Sequence, residues 1–484
     1  MPPAPVFSEE LISKLTVEVP DHVHRIASFV PRIGTQIGLT GKLPGEILLQ
    51  VLEMCQGHHE NDAGNRFSAQ PSDSFPWHLG AYDAHCHPTD TMASIDNLAG
   101  MRASVLTIMA TRSQDQDLVA QVAASHGLEG NVDRLDARGS CKVVPAFGWH
   151  PWFSHQLYDD TVAEPTYNTA GGVLPSEAKR AHYHAVLQPS PGDAFIDGLP
   201  DPVPISSFIN TTSARLEAHP LALVGEMGLD KAFRLPEQWA AAAAEIFDAR
   251  DDAVTPGGRE GRRLSPHRVR MPHQQAVLAA QLALAGHLGR AVSLHGVQAH
   301  GVLYDTVSRC WAGHELPSRR EQKLVAPGAE DFSSSSGGSS DEETDVQGQE
   351  SLPQKMRALH LKRNQAKKKQ QAGKPYPPRI CLHSFSGSAA TLKQWLRPNI
   401  PAKVYVSFST AVNMSTEASR AKIDEVIRAV PDDRVLVESD LPAAGTDMDG
   451  LLEAMYRHVC KVKGWELEEG VDRIRRNYQT FIFG

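Results

Sequence analysis

The chain of 484 residues has few cysteines, and none of them lie close together in the sequence. The absence of any C-x-x-C pair argues against a disulfide framework and against a structural zinc knuckle, and it fits a reducing compartment. The six cysteines are Cys55, Cys86, Cys141, Cys310, Cys381 and Cys460. The sequence also lacks any apolar run near about 18 residues, so we expect no membrane span.

A basic region followed by an apolar run is missing from the N-terminus, MPPAPVFSEELISK, so no signal peptide is predicted. Together with the scattered cysteines, this predicts a protein of the cytoplasm, the nucleus or both, and not a secreted one. Positive charge is not in excess either, because 48 Lys and Arg stand against 57 Asp and Glu, a net charge of -9. The field of the whole molecule therefore does not attract a polyanion, and a polyanionic substrate would need metal ions or a local basic patch.

From about residue 82 onward, short β-rich runs alternate with amphipathic helical patterns. Strand, helix and strand in repetition predict an α/β fold with a parallel sheet and helices outside it. Eight strand candidates favour a closed (β/α)8 TIM barrel, with an open doubly wound sheet as the alternative, since periodicity does not show closure. The runs are 81–86, 104–110, 141–149, 221–229, 291–296, 379–385, 403–409 and 434–440.

Several segments fall outside this alternation. Residues 1–80 are predicted to form a partly helical N-terminal extension, and 81–484 to form the barrel. A long insertion at 315–378 interrupts the barrel; its first half is acidic and rich in Ser and Gly, so we expect it to be disordered. Two stretches rich in Pro, Gly and charge, 159–205 and 250–267, are predicted to be loop insertions around the fourth strand.

Six residues with metal-binding side chains lie where five of the predicted strands end. In a TIM barrel the carboxyl ends of all strands meet at one mouth, where active sites are built. Imidazoles and carboxylates together suit Zn, Mn or Mg ions, and this number of ligands indicates two ions. The six residues are His85, His87, Glu226, His295, His383 and Asp440. One H-x-H pair alone would be weak evidence; His182 and His184 form another, which we predict to be a solvated helix face.

Six motifs in this order make the chain resemble the TatD-related metal-dependent hydrolases, a family commonly described as DNases. The resemblance spans residues 82–483 apart from the insertions, is strongest to a fungal subgroup, and implies a TIM barrel of the metal-dependent hydrolase type. The motifs are DAHCHPTD (83–90), FGWHP (147–151), VGEMGLD (224–230), SLHG (293–296), CLHSFSG (381–387) and VLVESDLP (435–442).

The resemblance implies a role for each metal-binding residue. One divalent ion would be held by His85, His87 and Asp440, and a second by His295 and His383. Glu226 would bridge the two ions, because a carboxylate has two oxygens.

Residues that contact the substrate are implied less directly. His150, in the FGWHP motif, matches a family position near the metals and would contact the substrate phosphate. The family usually has an Arg two residues after the fifth-strand His, where this chain has Val297. Lys231 and Arg234, just after VGEMGLD, are candidates to supply the missing positive charge.

The residues and the resemblance together indicate hydrolysis of a DNA phosphodiester by a metal-activated water, with 3'-5' exonuclease-like cleavage. Asp440 is the candidate proton acceptor, and Glu226 shares the catalytic assignment. Two alternatives stay open: an amidohydrolase-like enzyme acting on a small ester or amide, and a barrel protein that binds protein partners through 1–80 and 315–378. The basic run 362–370 is either a nuclear-localisation or DNA-binding patch, or a solvated part of the insertion.

Overall fold

The computed structural model describes residues 74–128, 130, 140–237, 263–317 and 373–484. Most of the predicted N-terminal extension, most of the stretch 250–267 and most of the insertion 315–378, including the basic run 362–370, lie outside the described residues. The predictions made for those segments therefore stay predictions.

All eight strands expected from the sequence are present, and they are parallel. With strands numbered in chain order, the eight are β1 (Tyr82–Cys86), β2 (Val105–Met109), β3 (Lys142–Ala146), β7 (Val224–Asp230), β9 (Val292–Val297), β10 (Arg379–Leu382), β11 (Lys403–Phe408) and β12 (Val435–Val437). Four two-residue strands lie outside this set: β4 (Leu157–Tyr158), β5 (Leu187–Gln188), β6 (Val203–Pro204) and β8 (Arg268–Val269). In the described part of the chain, β4 pairs with β6 and β5 pairs with β8.

The eight strands close into a ring. Hydrogen bonding gives the orders β1-β2-β3 and β12-β11-β10-β9-β7, and a parallel bridge between Ala146 and Leu223 joins β3 to the start of β7. On the other side, the amide of Asp440 donates to the carbonyl oxygen of His85 at 3.0 Å, and the amide of His87 donates to that of Leu441 at 2.8 Å. The predicted TIM barrel is therefore confirmed, and the open-sheet alternative is wrong.

Helices connect successive strands as the alternation predicted. They are α1 (Ser113–His126), α2 (Pro175–Val186), α3 (Asp193–Asp197), α4 (Ile205–Ala218), α5 (Met271–His287), α6 (His300–Cys310), α7 (Ala389–Trp395), α8 (Thr410–Asn413), α9 (Glu417–Ala429), α10 (Thr446–Lys463) and α11 (Leu467–Phe483). Short 3-10 segments cover Trp77–Leu79, Pro88–Gly100, Pro151–Gln156, Ala170–Gly172 and Asp432–Arg434. Within the described ranges, none of the helices has both the length and the apolar character to cross a membrane.

Alternate residues of each strand divide the core in two. On β2, Leu106 and Ile108 pack in the large cluster that the strands share with the helices. Val105 and Met109, which point the opposite way, join a second cluster contributed by several barrel strands. The end of α11 adds Phe481 to this inner cluster. The barrel interior is thus filled with side chains, which leaves its opposite end, where the strands terminate, for polar groups.

The insertion between β3 and β7 is packed around a buried histidine. His182 is fully buried; its Nε2 donates to the carbonyl oxygen of His155 at 2.8 Å and its Nδ1 lies 2.8 Å from Oγ1 of Thr166. The solvated helix face predicted for His182 and His184 is therefore wrong for His182, while His184 is exposed. His182 is buried because the segment before α2, which contains His155 and Thr166, packs against this side of the helix.

Candidate metal centre

The six residues singled out in the sequence lie together at the carboxyl ends of the strands. His85, Glu226 and His295 belong to β1, β7 and β9 themselves, whereas His87 and His383 follow directly after β1 and β10. Asp440 lies in the turn after β12. Glu226 does not end its strand as expected, because β7 continues to Asp230, where it is still paired with Val297 of β9.

One oxygen of Glu226 faces three imidazoles. Its Oε1 lies 2.7 Å from Nδ1 of His295, 3.0 Å from Nε2 of His150 and 3.1 Å from Nε2 of His383. His150, which the resemblance placed near the metals and in contact with the substrate phosphate, is in direct contact with the central carboxylate. All four side chains are almost completely buried.

The other oxygen of Glu226 faces a different set. Its Oε2 lies 3.2 Å from Nε2 of His87 and 3.4 Å from Nε2 of His85. Oδ1 of Asp440 lies 3.5 Å and 3.8 Å from the same two nitrogens. The two oxygens of one carboxylate therefore point to two groups of nitrogen and oxygen donors.

The donor atoms are close enough to share ions. Three groups each offer ligand atoms that all lie within 4.8 Å of one another. They are His85, His87 and Asp440; His85, Glu226 and His383; and His150, Glu226 and His295. Imidazole nitrogens combined with carboxylate oxygens fit a divalent transition metal or a mixed site with Mg²⁺.

In His85, His295 and His383, the ring nitrogen that points away from Glu226 also has a hydrogen-bond partner. Nδ1 of His85 lies 2.8 Å from Oγ of Ser293, and Nε2 of His295 lies 3.2 Å from Oδ2 of Asp230. Nδ1 of His383 lies 3.2 Å from Oε1 of Glu438. Such partners fix the ring orientation and tautomer of a metal-binding histidine.

Asp230 and Glu438 were not assigned any role from the sequence, although they stand inside the motifs VGEMGLD and VLVESDLP. Glu438 is completely buried; it accepts a hydrogen bond from the amide of Ser384 at 2.7 Å and further bonds from the hydroxyls of Ser384 and Ser407. Asp230 accepts from the indole Nε1 of Trp152 at 2.6 Å. An acidic residue close to a ligand in the same motif was the available signal.

The buried carboxylates of the centre are held in the charged form. Burial by itself would raise the pKa of Glu226, but the imidazoles of His150, His383 and His85 hold that pKa well below its usual range. Burial likewise opposes ionisation of Asp440, and its hydrogen bond with His87 is the main cause of a lowered pKa. Burial lowers the pKa of His150 to about 4, so this imidazole is neutral at physiological pH. Two buried anions among imidazoles attract cations.

The backbone is strained at the same mouth. Among the residues that the structure describes, three other than glycine have positive φ angles: Gln298 (52°), Ser384 (40°) and Asp440 (57°). Each of them follows a barrel strand: Asp440 is itself a proposed ligand, Ser384 is next to His383, and Gln298 comes three residues after His295. Residues other than glycine rarely adopt this backbone conformation, and such strain concentrates at functional sites.

Lys231 and Arg234 are placed just beyond β7, as the sequence requires. Lys231 is exposed; its amide donates to the carbonyl oxygen of Val297 and its carbonyl oxygen accepts from the guanidinium of Arg268. Arg234 is partly buried. Neither residue lines the cavity at the mouth of the centre, and their assignment to the substrate stays a prediction.

Comparison with known proteins gives a consistent family. Residues 82–482 match the family described as TatD related DNase. The chain is 34% identical over 402 residues to the Cut9-interacting protein scn1 of Schizosaccharomyces pombe, covering 83% of this chain and 98% of that protein. It is 24% identical over 418 residues to a Saccharomyces cerevisiae protein named uncharacterized deoxyribonuclease YMR262W, covering 83% and 98%.

Solved structures similar to this chain share little sequence with it. The TatD homolog YjjV of Escherichia coli is 16% identical with a TM-score of 0.40, covering 84% of this chain and 98% of its own. An uncharacterized amidohydrolase from Saccharomyces cerevisiae is 14% identical with a TM-score of 0.43, covering 83% and 99%.

Proposed function

Because the chain belongs to the TatD-related DNase family and is therefore a metal-dependent hydrolase that acts on ester bonds, we propose that it is a deoxyribonuclease. We further propose that it uses two divalent ions, Mg, Mn or Zn, and removes nucleotides from DNA ends in the 3'-5' direction. The observation that carries the two-ion proposal is the division of donors around Glu226, whose Oε1 and Oε2 face different sets of imidazoles.

The ligand assignment follows from that division. His85, His87 and Asp440 would hold one ion with Oε2 of Glu226. His295 would hold the second ion with Oε1 of the same carboxylate. His383 would join His295 at the second ion, as the family resemblance implies, because its Nε2 is close to both His295 and Glu226. It also belongs to a donor group with His85.

Within this second set His150 acts as a neutral imidazole. Its Nε2 lies 3.0 Å from Glu226 Oε1, while its Nδ1 accepts a hydrogen bond from the amide of Trp152 at 3.1 Å. Nε2 must therefore carry the proton when it bonds Glu226, and the same N–H can turn to a phosphate oxygen. This is how His150 would contact both the centre and the substrate.

In the proposed hydrolysis, a water oxygen adds to the phosphorus and the P–O bond to the neighbouring nucleotide breaks. Two bound divalent ions supply activation of the water and neutralisation of the phosphate oxygens. Asp440 accepts one proton of the water at its carboxylate, and that proton ends on the leaving oxygen. The products are a nucleotide monophosphate and a DNA strand that ends in a hydroxyl.

The nuclease proposal is tested with the full chain and a single-stranded DNA labelled at its 5' end, in Mg²⁺ or Mn²⁺. Asp440→Asn removes the proton acceptor and one ligand charge, so we expect kcat to fall by roughly 100- to 10,000-fold. Asp447→Asn, an exposed aspartate of α10, is the matched control and should keep wild-type activity. A ladder of products shortened from the 3' end is the expected pattern.

Equal activity in wild type and Asp440→Asn would refute the catalytic assignment. Internal cuts from the first time point would refute exonucleolytic cleavage, and immediate release of the labelled 5'-terminal nucleotide would refute the 3'-5' direction. If the wild type leaves DNA intact but hydrolyses a small carboxylic ester or amide, the amidohydrolase alternative is correct.

We also propose that residues 1–80 and 315–378 bind protein partners and that the chain works in the cytoplasm, the nucleus or both. The name of the fission yeast relative states an interaction with Cut9, which supports a second role as an interaction partner. Microscopy of the tagged chain, with and without the basic run 362–370, measures the location. Loss of nuclear signal on deletion would support a localisation role for that run, and an unchanged distribution would refute it.

A further inference from the structure

A cavity of about 380 Å³ opens beside the metal centre. The proposed ligands His295, His383 and Asp440 form one part of its lining. The remainder comes from the end of β9 and the turn before α6, the loop before α7, the helix α8 and the first turns of α9. Its volume lies at the lower end of the range for small-molecule sites, which is about 300–1,000 Å³.

The cavity has one strongly basic side chain. Among the described residues that line it, Lys422 of α9 is the only lysine or arginine. Its Nζ donates to the carbonyl oxygen of Ser386 at 2.6 Å, which holds the ammonium at the loop before α7 while leaving two of its protons free of that bond. Lys422 is exposed, so a ligand can reach it.

Among the described residues that line the cavity, no acidic side chain other than the proposed metal ligand Asp440 is present to neutralise the positive charge of Lys422. His300, also in the lining, has a pKa of about 4 because of burial and the nearby positive charge of Lys422. His300 is therefore neutral. The acidic member of the lining is Asp440, which the proposed function assigns to a metal ion.

The other lining side chains suit a nucleotide. Gln298 stands at the turn after β9, with a φ of 52°, and offers an amide. Val412 and Ile423 offer apolar contact. Amide and apolar groups together can contact a base or sugar, which a phosphate site alone would not need.

We propose that this cavity binds the nucleotide adjacent to the scissile phosphodiester, and that Lys422 binds the phosphate of that nucleotide. The inference rests on the proposed nuclease function, and it gives a position to the positive charge that the chain lacks after His295. It places that charge on α9, and not on Lys231 or Arg234. Since the net charge of the chain is -9, a local cation beside the ions is what a DNA end would meet.

The test compares a substrate that has a neighbouring phosphate with one that has none. A single-stranded oligodeoxynucleotide has it, and bis(4-nitrophenyl) phosphate is a lone diester. In Lys422→Met the ratio of kcat/KM for the oligonucleotide to kcat/KM for the small diester should fall on the order of 10-fold, mainly through KM. Lys422→Arg should restore most of the ratio, and Lys461→Met, an exposed lysine at the end of α10, should leave it at the wild-type value.

A binding measurement separates this inference from the nuclease proposal. Fluorescence anisotropy of a labelled oligodeoxynucleotide in Mg²⁺, with Asp440→Asn as the background of both proteins to suppress cleavage, gives the salt dependence of binding with the metal present. Loss of one phosphate contact should reduce the slope of log K against log salt by about 0.7 in Lys422→Met. An unchanged slope together with an unchanged substrate ratio would overturn the inference while leaving the nuclease proposal intact. If the wild type cleaves neither substrate, the nuclease proposal fails, and the slope alone decides whether Lys422 binds phosphate.

Discussion

Glu438 shows how residues behind the ligands control the centre. It does not face Glu226, yet its carboxylate contacts His383 and accepts three hydrogen bonds from Ser384 and Ser407. The same interactions fix the ring of His383 and the strained backbone at Ser384. We therefore propose that Glu438 is a positioning residue for His383, one of the proposed ligands.

We expect Glu438→Gln to weaken metal binding by about 10- to 100-fold, because the amide cannot accept hydrogen bonds on both of its ends. Activity at low Mn²⁺ should fall by a similar factor and recover at high Mn²⁺. Glu425→Gln, an exposed glutamate of α9, should need no additional metal. A Glu438→Gln enzyme with reduced kcat at saturating Mn²⁺ and an unchanged metal affinity would contradict the positioning role.

At this scale the sequence predicted which residues meet but not how they are oriented. His85, His295 and His383 are recognisable because each follows or ends an apolar run. The roles of Asp230 and Glu438 depend on the direction of individual ring nitrogens, which strand periodicity does not contain. Between His295 on β9 and Lys422 on α9 lie the described elements α6, β10, α7, β11 and α8, and nothing in the pattern of α9 itself marks Lys422.

Strands were the elements best predicted from the sequence, because buried parallel strands give continuous apolar runs. The exact ends were not predictable. β7 runs on to Asp230 because Gly228, at a φ of 155°, lets its backbone approach the carbonyl of His295 so closely that a Cβ would collide with it. A glycine required for contact with another strand cannot be recognised from its own strand.

The buried His182 on α2, in the insertion between β3 and β7, predicts how the stability of the protein depends on pH. Burial lowers the pKa of His182 to about 4, whereas the unfolded chain would protonate it near 6.5. Between these values the unfolded state takes up the proton, so this contribution is fully present above pH 6.5 and is lost as the pH falls towards 4. The free energy of unfolding should therefore decrease as the pH falls from 6.5, by up to about 1.4 kcal/mol per pH unit for this one proton.

Urea unfolding at pH 7, 6, 5.5 and 5 measures that slope. His182→Gln should be less stable at pH 7 but should have a shallower pH dependence than the wild type. His184→Gln, the exposed neighbour on the same helix, should keep the wild-type slope. Parallel curves for His182→Gln and wild type would show that His182 does not carry the effect.

For the whole molecule, closure of the barrel creates the centre. Glu226 and Asp440 are far apart in the sequence, and periodicity alone allowed an open sheet that would hold β1 and β12 at opposite edges. The backbone bonds between His85 and Asp440 and between His87 and Leu441 remove those edges. They also bring His85 and His87 of the first strand close to Asp440. The contact that closes the barrel therefore also assembles the donor set of His85, His87 and Asp440.

The net charge of -9 affects how an anionic substrate would approach the metal centre. A net negative charge opposes the approach of an anionic substrate at long range, so under the proposed function binding would depend on the ions and on nearby cations such as Lys422. Activity on DNA should therefore depend on the metal for attraction as well as for chemistry. The segments outside the described residues contribute charge of both signs, but their placement was not predictable from composition.

The number of divalent ions bound per chain tests the central claim, that Glu226 divides its oxygens between two sites. The full chain is loaded with Mn²⁺ or Zn²⁺, dialysed, and measured by elemental analysis beside His295→Ala and the exposed control His184→Gln. About two ions per chain are expected in the wild type and control, and about one in His295→Ala, because the set at Glu226 Oε2 keeps its ligands. One ion per chain in the wild type, or the loss of all metal in His295→Ala, would contradict two sites joined by Glu226.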